Sequence, residues 1–250
     1  MVGNKRVVAV VRARMTSSRL PGKVLMPLAG KPVLQHMIER HRRSAYTDEV
    51  VVATTDKPTD DPVVALCESL GCAYVRGSED DVLARVVGAG EAARADILVD
   101  GMADSPLVDW RIVDQLVEML VEGGYDCTSN EFKETFPVGL DARVFSFPTL
   151  CEAARVDHEP MYREHAGYSI RSQPDKFKLG NLEAAGDLRW PALRLTLDTQ
   201  EDYAVIGAVY DALYPTNPDF SAAEVVAFLK TRPDLVALNS VVAQKVPGVQ

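Results

Sequence analysis

Short β-branched runs alternate with segments of helical length along the first half of this chain. The apolar runs, which are too short to be helices, occupy residues 7–11, 49–53, 73–75 and 97–99. Helical patterns occupy residues 33–41, 60–71, 78–94 and 110–122. Strands that alternate with helices require right-handed crossovers and form a mainly parallel sheet between helical layers. The sequence therefore predicts an α/β fold of three layers.

The second half of the chain begins with a predicted strand at residues 125–130 and then becomes irregular between about 131 and 191. In this irregular segment we predict two helices and a strand, at residues 147–155, 161–172 and 176–182. Regularity returns with a strand at 193–198, helices at 199–214 and 221–230, and a tail that frays from Asn239. We interpret residues 131–191 as a small inserted lobe that covers a substrate or makes a dimer. Because 250 residues with 47% hydrophobic content can bury one sizeable core, we predict a single domain over residues 1–250.

A basic loop follows the first apolar run. Residues 12–23 contain four cations, three hydroxyl side chains and a Pro-Gly pair, although the whole chain has a formal net charge of −9. In an open parallel sheet, ligands bind outside the carboxyl ends of the strands, where such a loop also offers backbone N–H groups. Arginine grips phosphate bidentately and lysine supplies a compact charge. We therefore predict a polyanionic ligand here, with a solvated basic loop as the alternative.

Two aspartates, Asp104 and Asp198, each follow an apolar run and precede a helix. Because the carboxyl ends of parallel strands meet at one edge of a sheet, their carboxylates should converge there. Two carboxylates together with ligand phosphates suit Mg²⁺. Helix capping is the alternative role for Asp198, and it is compatible with metal binding. Lys23, Arg14 and Arg19 with such a metal would suffice for nucleotidyl transfer, which needs charge neutralisation and no nucleophilic side chain.

Composition and missing motifs exclude several other classes. The acidic balance argues against general affinity for nucleic acid. Because no apolar stretch is long enough to span a bilayer and the first run is too short for a signal peptide, we expect a cytoplasmic protein without membrane association. The four cysteines lack metal-ligand spacing and are expected to be reduced packing residues. No P-loop, nucleophile elbow or dinucleotide-binding glycine fingerprint is present.

Several motifs together resemble the cytidylyltransferases that make CMP-activated sugars, most closely the spore-coat polysaccharide biosynthesis branch. The signature loop of that family resembles residues 13–25, Ala-Arg-Met-Thr-Ser-Ser-Arg-Leu-Pro-Gly-Lys-Val-Leu. Further motifs follow in the family's order at residues 52–55 with 60–61, 76–78 with 80–83, 103–109, 136–141, 163–165 and 194–202. The resemblance covers roughly residues 5 to 210.

This resemblance implies a Rossmann-like nucleotide-diphospho-sugar transferase fold, in which CTP donates CMP to a sugar or sugar-acid hydroxyl and pyrophosphate leaves. It also implies Mg²⁺, bound by Asp104 and Asp198, and a homodimer. Catalytic roles in holding the triphosphate fall to Lys23, Arg14 and Arg19. The nucleotide-binding residues predicted in this way are Arg12, Ala13, Arg14, Met15, Thr16, Ser17, Arg19, Lys23, Thr54, Arg76 and Asp81. The predicted acceptor-binding residues lie in or beside the inserted lobe and are Asn130, Asp141, Arg163 and His165.

The chain departs from the family pattern at two positions. Thr16 stands where the loop usually has glycine, and Asp100 stands where the branch commonly carries an arginine. These changes concern the loop geometry and the acceptor more than the reaction type. Three alternatives remain at this stage: a nucleotidyltransferase with a phosphorylated or phosphonate acceptor, a non-catalytic nucleotide-binding homologue and, more distantly, a dinucleotide-dependent reductase.

Overall fold

A buried strand rich in valine, β1 (Val7–Arg12), is the third strand from one edge of a seven-stranded sheet in the computed structural model, which describes residues 2–244. The other strands in chain order are β2 (Pro27–Leu28), β3 (Lys31–Pro32), β4 (Thr47–Thr55), β5 (Ala73–Gly77), β6 (Ile97–Met102), β7 (Cys127–Ser129), β8 (Arg143–Ser146) and β9 (Leu179–Asn181). The strand order in the sheet is β5-β4-β1-β6-β8-β7-β9, and β2 pairs separately with β3. All pairs in the large sheet are parallel except those of β8 with β6 and with β7. The predicted mainly parallel α/β sheet is therefore confirmed.

Helices cover both faces of the sheet. In chain order they are α1 (Val33–Arg42), α2 (Asp61–Ser69), α3 (Val82–Ala92), α4 (Trp110–Gly123), α5 (Phe147–Val156), α6 (Pro160–Glu164), α7 (Tyr168–Arg171), α8 (Gln200–Leu213), α9 (Ala222–Lys230) and α10 (Pro233–Asn239). Alternate residues of β1 point to opposite faces. Val7, Ala9 and Val11 join a core with α1, α4, α8 and α9, whereas Val8 and Val10 join a second core with α3, α5 and α7. The sheet lies between these two cores, and with the helices on its two faces it makes the predicted three layers.

The path of the chain through the sheet sets the position of the cleft. After β1 the chain runs outward through β4 and β5 and then returns to β6 on the other side of β1. Strand order therefore reverses between β1 and β6, and the crevice at the carboxyl ends of these two strands is the expected binding place of such a sheet. The basic loop leaves β1 at this crevice, and Asp104 follows β6 there.

The predicted strand at residues 193–198 is wrong, because this segment is extended but is not part of the sheet. Its one strand-like pairing is an isolated parallel bridge between Arg194 and Val138. Leu195 N–H donates to the Val138 carbonyl at 2.7 Å, and Leu197 N–H donates to the Asp104 carbonyl at 2.7 Å. The apolar residues that suggested a strand are buried, but they pack as a strap along the loops after β6 and β7.

The segment predicted as an inserted lobe contributes β8 and β9 to the large sheet, while α5 and α7 pack on one of its faces. Strand β8 was not predicted.

The predicted helix at 161–172 is two short helices, α6 and α7, separated at Gly167, which has a positive φ of 77°. Helix α3 begins at Val82 with Asp81 as its N-cap, four residues later than expected.

The C-terminal part of the described chain contains a helix, α10, that the sequence did not predict. Asn239, where fraying was predicted to begin, is the last residue of α10 and is buried. The prediction of a fraying tail is therefore wrong at its first residue. Residues 245–250, to which both this prediction and the single-domain prediction extend, lie outside the described residues, as does Met1.

Candidate active site

The basic loop is folded back on itself by its own backbone. The Met15 carbonyl accepts hydrogen bonds from the N–H groups of Ser17 at 3.0 Å and Gly22 at 2.9 Å. Gly22 has a φ of 71°, a left-handed conformation that favours glycine. Met15 N–H in turn donates to Oδ1 of Asp60 at 2.8 Å. This anchoring gives the loop a fixed shape over the carboxyl end of β1.

A polar cleft of about 350 Å³ lies between this loop and the ends of β1, β6 and β8. Its volume is in the range of small-molecule sites. The lining includes six cationic side chains but only three carboxylates, so the cleft is locally positive in an acidic protein. The lining residues are Arg12, Ala13, Arg14, Ser17, Ser18, Arg19, Lys23, Val24, Val82, Arg85, Met102, Ala103, Asp104, Arg143, Glu164, His165 and Asp198.

Lys23 forms the centre of the charged cluster in the cleft. Its buried Nζ donates to Oδ1 of Asp198 at 2.9 Å and to the Leu197 carbonyl at 2.6 Å. Oδ2 of Asp104 lies 3.9 Å from the same nitrogen. On the other side of Asp198, Arg19 Nη2 lies 2.9 Å from Oδ2. The structure therefore brings together the two aspartates and two of the three predicted catalytic cations.

The cations around Asp198 keep its carboxylate ionised. Burial alone would raise the pKa of Asp198, but Lys23, followed by Arg19 and Arg194, outweighs that effect and holds the pKa below its usual value. At neutral pH the carboxylate therefore acts only as an acceptor of hydrogen bonds or as a ligand.

The donor set of the cleft fits a magnesium ion bound together with phosphate. Within residues 2–244, no three histidine, cysteine, aspartate or glutamate side chains are grouped to hold a metal. Asp104 and Asp198 nevertheless present carboxylate oxygens to one point, and the Lys23 ammonium group there shows that this point favours a cation. Mg²⁺ is commonly bound by one or two carboxylates plus substrate phosphates and waters, rather than by an all-protein cage.

A buried ion network under the cleft was missed by sequence reasoning. Asp100, whose side chain is fully buried, lies between Arg12 at 2.9 Å and Arg143 at 3.4 Å. Arg143 also pairs with Glu131. Burial would lower the pKa of Arg143, but Glu131 and then Asp100 raise it above its usual value. Asp100, which departs from the family pattern, is thus neutralised by two arginines from distant parts of the chain.

Arg85 is a second residue that the sequence did not single out. It lies in the first turns of α3, is 4% exposed and lines the cleft. Its Nη1 donates to the carbonyls of Ser78 and Glu79, while its Nε has no hydrogen-bond partner among the described residues. Burial, followed by the charges of Arg14 and Arg12, lowers the pKa of Arg85 from its usual value. No local pattern distinguishes this arginine from those on other helix surfaces.

Several residues predicted to bind the nucleotide do not line the cleft but support the loops around it. Thr54 is buried and donates to Oδ2 of Asp60 at 3.1 Å, beneath the basic loop. Arg76 ties down the segment after β4 by donating to the carbonyls of Thr55 and Lys57. Met15 is likewise absent from the cleft lining and contributes its backbone to the loop.

Asp81 and Arg163, predicted to bind nucleotide and acceptor respectively, bind each other. Arg163 Nε donates to Oδ2 of Asp81 at 3.0 Å, and Oδ1 of Asp81 caps α3 by accepting from Ala84 N–H at 2.9 Å. This pair joins α3 to α6. Neither side chain lines the cleft, because each is engaged in holding these helices together.

Two further residues predicted to bind the acceptor shape the loop between β7 and β8. Asn130 is buried and bonds to both the carbonyl of Leu140 and the N–H of Ala142, at 2.9 and 2.8 Å. Asp141 accepts from Gly139 N–H at 3.0 Å, and burial, followed by Glu131, raises the pKa of Asp141 to about 6. The fourth predicted residue, His165, does line the cleft, and burial lowers its pKa.

Thr16, the other departure from the family pattern, connects two loops. Its hydroxyl donates to Oε1 of Glu79, and Arg14 Nη1 lies 3.6 Å from the same oxygen. The β5–α3 loop is therefore tied to the basic loop through one carboxylate. Glycine at position 16 could not make this bond.

The fold and site define a nucleotidyl-transferring α/β protein, with a parallel sheet, a basic loop after its first strand and paired aspartates at the switch point. A profile of the cytidylyltransferase family matches residues 8–241. The chain belongs to this family and is an enzyme of the nucleotidyltransferase class. No helix within residues 2–244 is both long and apolar enough to cross a membrane.

Individual relatives agree with this assignment. The chain is 36% identical over 233 residues to the spore coat polysaccharide biosynthesis protein SpsF of Bacillus subtilis, covering 91% of this chain and 95% of that one. It is 38% identical over 116 residues to the 3-deoxy-manno-octulosonate cytidylyltransferase of Syntrophobacter fumaroxidans, 46% of each chain. A solved cytidylyltransferase structure from Leptospira borgpetersenii superimposes with a TM-score of 0.87 at 28% identity, covering 97% of this chain and 99% of that one.

Proposed function

We propose that this protein transfers CMP from CTP to a hydroxyl group of a sugar or sugar acid and releases pyrophosphate. The observation that carries the proposal is the Lys23 ammonium group held between Asp104 and Asp198 in a cleft rich in arginine. Such a site can neutralise a triphosphate at the point where carboxylates could also hold a metal.

In the proposed reaction, the acceptor hydroxyl oxygen attacks the α-phosphorus of CTP and loses its proton to water, and the bond from that phosphorus to the oxygen bridging to the β-phosphate breaks. Lys23 and Arg19 would neutralise the charge on the phosphate oxygens, and Arg14 would bind the departing pyrophosphate. When bound by Asp104 and Asp198, Mg²⁺ would supply further charge neutralisation at the phosphates. For Lys23 and Arg19 to follow the phosphates, they must exchange their bonds to Asp198 for bonds to the nucleotide.

His165 supports the acceptor side of the proposal. It lines the cleft, and its lowered pKa means that the ring is neutral at pH 7 and has a free nitrogen lone pair. A neutral imidazole can accept a hydrogen bond from the acceptor hydroxyl and so orient it toward phosphorus. The names of the relatives, one in spore coat polysaccharide biosynthesis and one acting on 3-deoxy-manno-octulosonate, support a sugar-type acceptor.

We further propose that the protein works in the cytoplasm as a homodimer in which residues 131–191 make the interface. Sedimentation equilibrium tests the dimer directly, since a monomer at micromolar concentration would contradict it.

The central test measures pyrophosphate release from CTP, UTP, ATP and GTP with Mg²⁺ and a panel of neutral, acidic and phosphorylated sugars. We expect release with CTP and a non-phosphorylated sugar or sugar acid, and a loss of about 100-fold or more in Asp104→Asn and Asp198→Asn. Lys5→Ala, which removes an exposed lysine just before β1, at the end of the strand away from the cleft, should retain full activity. Release only with phosphorylated or phosphonate acceptors would overturn the acceptor proposal. CTP binding without turnover on any acceptor would instead indicate a non-catalytic homologue.

A further inference from the structure

Asp198 lies in a segment that the sheet does not hold. The backbone of residues 193–198 is held outside the sheet, by an isolated bridge to Val138 and by the bond from Leu197 N–H to the Asp104 carbonyl. The Asp198 carboxylate itself is held by side-chain contacts. Its own N–H donates to Oδ2 of Asp202 at 2.9 Å. Its Oδ2 lies 3.2 Å from Arg194 Nη2, and Arg194 is itself bound by both oxygens of Asp202, at 2.8 and 2.9 Å.

The C-terminal helix completes this network. Asn239, the last residue of α10, donates through Nδ2 to Oδ1 of Asp202 at 2.9 Å and to the Arg194 carbonyl at 3.1 Å. Arg194 Nη1 also donates to the side-chain oxygen of Gln244 beyond the helix. Arg194, Asp202 and Asn239 are all buried. The polar end of α10 is thus bonded into the segment that carries Asp198.

We propose that α10 positions Asp198 for metal binding, with Asn239 as the positioning residue that acts through Asp202 and Arg194. The inference rests on the proposed role of Asp198 as a magnesium ligand. Asn239 makes no described hydrogen bond to the basic loop, and in the proposed reaction Lys23 and Arg19 exchange their bonds to Asp198 for bonds to the nucleotide. Its removal should therefore affect metal binding and not the contacts of the loop with the triphosphate.

The physical reason is the cost of unpaired buried polar groups. Without Asn239, the Arg194 carbonyl loses its side-chain donor and Oδ1 of Asp202 retains only Arg194. A buried polar group left without a partner is destabilising, so the segment would relax toward other partners and move the Asp198 carboxylate. Groups that orient metal ligands typically change metal affinity or activity by about 10- to 100-fold when removed.

The experiment titrates CTP by calorimetry in EDTA and at stepped Mg²⁺ concentrations, for the full-length wild type and variants. In Asn239→Ala we expect the half-saturating Mg²⁺ concentration to rise about tenfold, while CTP affinity in EDTA stays within about twofold of the wild type. Gln244→Ala, which removes one bond to Arg194 and leaves α10 intact, should shift the half-saturating Mg²⁺ concentration in the same direction by about threefold.

Leu235→Ala is the matched control, because it removes an apolar contact of α10 with the core and leaves the polar network in place. It should lower thermal stability without changing the half-saturating Mg²⁺ concentration. This inference alone would be overturned if CTP binding by the wild type depends on Mg²⁺ and the Asn239→Ala and Gln244→Ala variants have the same half-saturating Mg²⁺ concentration as the wild type. A wild type whose CTP binding ignores Mg²⁺ would overturn the metal part of the proposed function and this inference with it.

Discussion

Lys23 Nζ lies 2.9 Å from Oδ1 of Asp198, although the two residues are 175 positions apart in the chain. The lysine leaves the basic loop after β1, and the aspartate ends the strap at residues 193–198. Their pairing closes the cleft on the side where Asp104 also lies. In the free protein the cationic and anionic parts of the proposed site neutralise each other, and the proposed reaction requires the nucleotide to separate them.

Replacing Lys23 tests whether this ammonium group acts in the reaction. Lys23→Met keeps the length of the apolar stem but removes the charge, so kcat for pyrophosphate release should fall about 100-fold or more. Asp198 would keep Arg19 and Arg194 as partners, so the variant should still fold. Steady-state kinetics with CTP checks the prediction, and Lys5→Met, at an exposed lysine away from the cleft, serves as the charge-matched control. Unchanged kcat in Lys23→Met would rule out a catalytic role.

Glu79 should compete with the nucleotide for Arg14. Its carboxylate binds the Thr16 hydroxyl and lies 3.6 Å from Arg14 in the free protein. Because a partly exposed ion pair contributes about 0.2–1 kcal/mol, Glu79→Gln should tighten CTP binding by about 1.4- to 5-fold. Calorimetric titration measures the effect, with the neighbouring Asp80→Asn as a control of equal charge change. Weaker CTP binding in Glu79→Gln would indicate that Glu79 helps to order the loop for the ligand instead.

Gly139 sets the distance between the β7–β8 loop and the strap that ends at Asp198. It has a φ of 97°, and a Cβ there would lie 2.3 Å from the backbone nitrogen of Thr196. Gly139→Ala should therefore lower the free energy of unfolding by about 2–4 kcal/mol and reduce activity by displacing Asp198. Gly207→Ala is the control, because the added methyl group in α8 meets open space and should stabilise by about 0.5–1 kcal/mol. Urea denaturation compares the two variants.

His41 should make the protein less stable in mild acid. Burial, followed by the charge of Arg40, lowers the pKa of His41 to about 4, and neither ring nitrogen has a partner among the described residues. The unfolded chain takes up a proton below about pH 6.5, whereas the folded chain does so only near pH 4. This contribution to stability is therefore complete above pH 6.5 and is lost as the pH falls toward 4.

The size of the His41 effect follows from linkage. Between pH 7.5 and pH 5 it should cost the wild type about 2 kcal/mol of unfolding free energy. His41→Leu removes the titrating group, so its loss of stability over the same range should be smaller by about that amount. Urea denaturation at both pH values measures the difference. Equal losses of unfolding free energy in the wild type and the variant would contradict the prediction, because they would show that His41 takes up its proton as readily in the folded protein as in the unfolded chain.

Local patterns predicted the residues of the site that follow strand ends. Lys23, Arg14 and Arg19 belong to a loop after an unmistakable strand, and Asp104 follows another, so topology alone placed them at one edge. Arg85 and Arg143 lack such a signal. Arg85 faces the cleft because of its register in α3. Arg143 faces the cleft because β8 pairs with β6, and strand β8 was not predicted.

The predicted roles of Thr54, Asn130 and Arg163 depended on their place in motifs, which does not reveal where a side chain points. In the structure the side chain of each of them forms hydrogen bonds with a neighbouring loop or helix and does not line the cleft. A polar residue beside a binding loop has the same local sequence whether it contacts the ligand or supports the loop. Burial and hydrogen-bond partners distinguish the two cases.

The sequence by itself determined the layered parallel fold, the basic loop and its family, because strand and helix periodicities and the loop's residues are local properties. Tertiary structure decided which side chains share the cleft and how they are held there. Asp198 is positioned by Arg194, Asp202 and Asn239, and the bond from Asn239 to the Arg194 carbonyl spans 45 residues and begins in a helix that was not predicted. Such pairings depend on how distant elements pack against each other, and no periodicity along the chain records that packing.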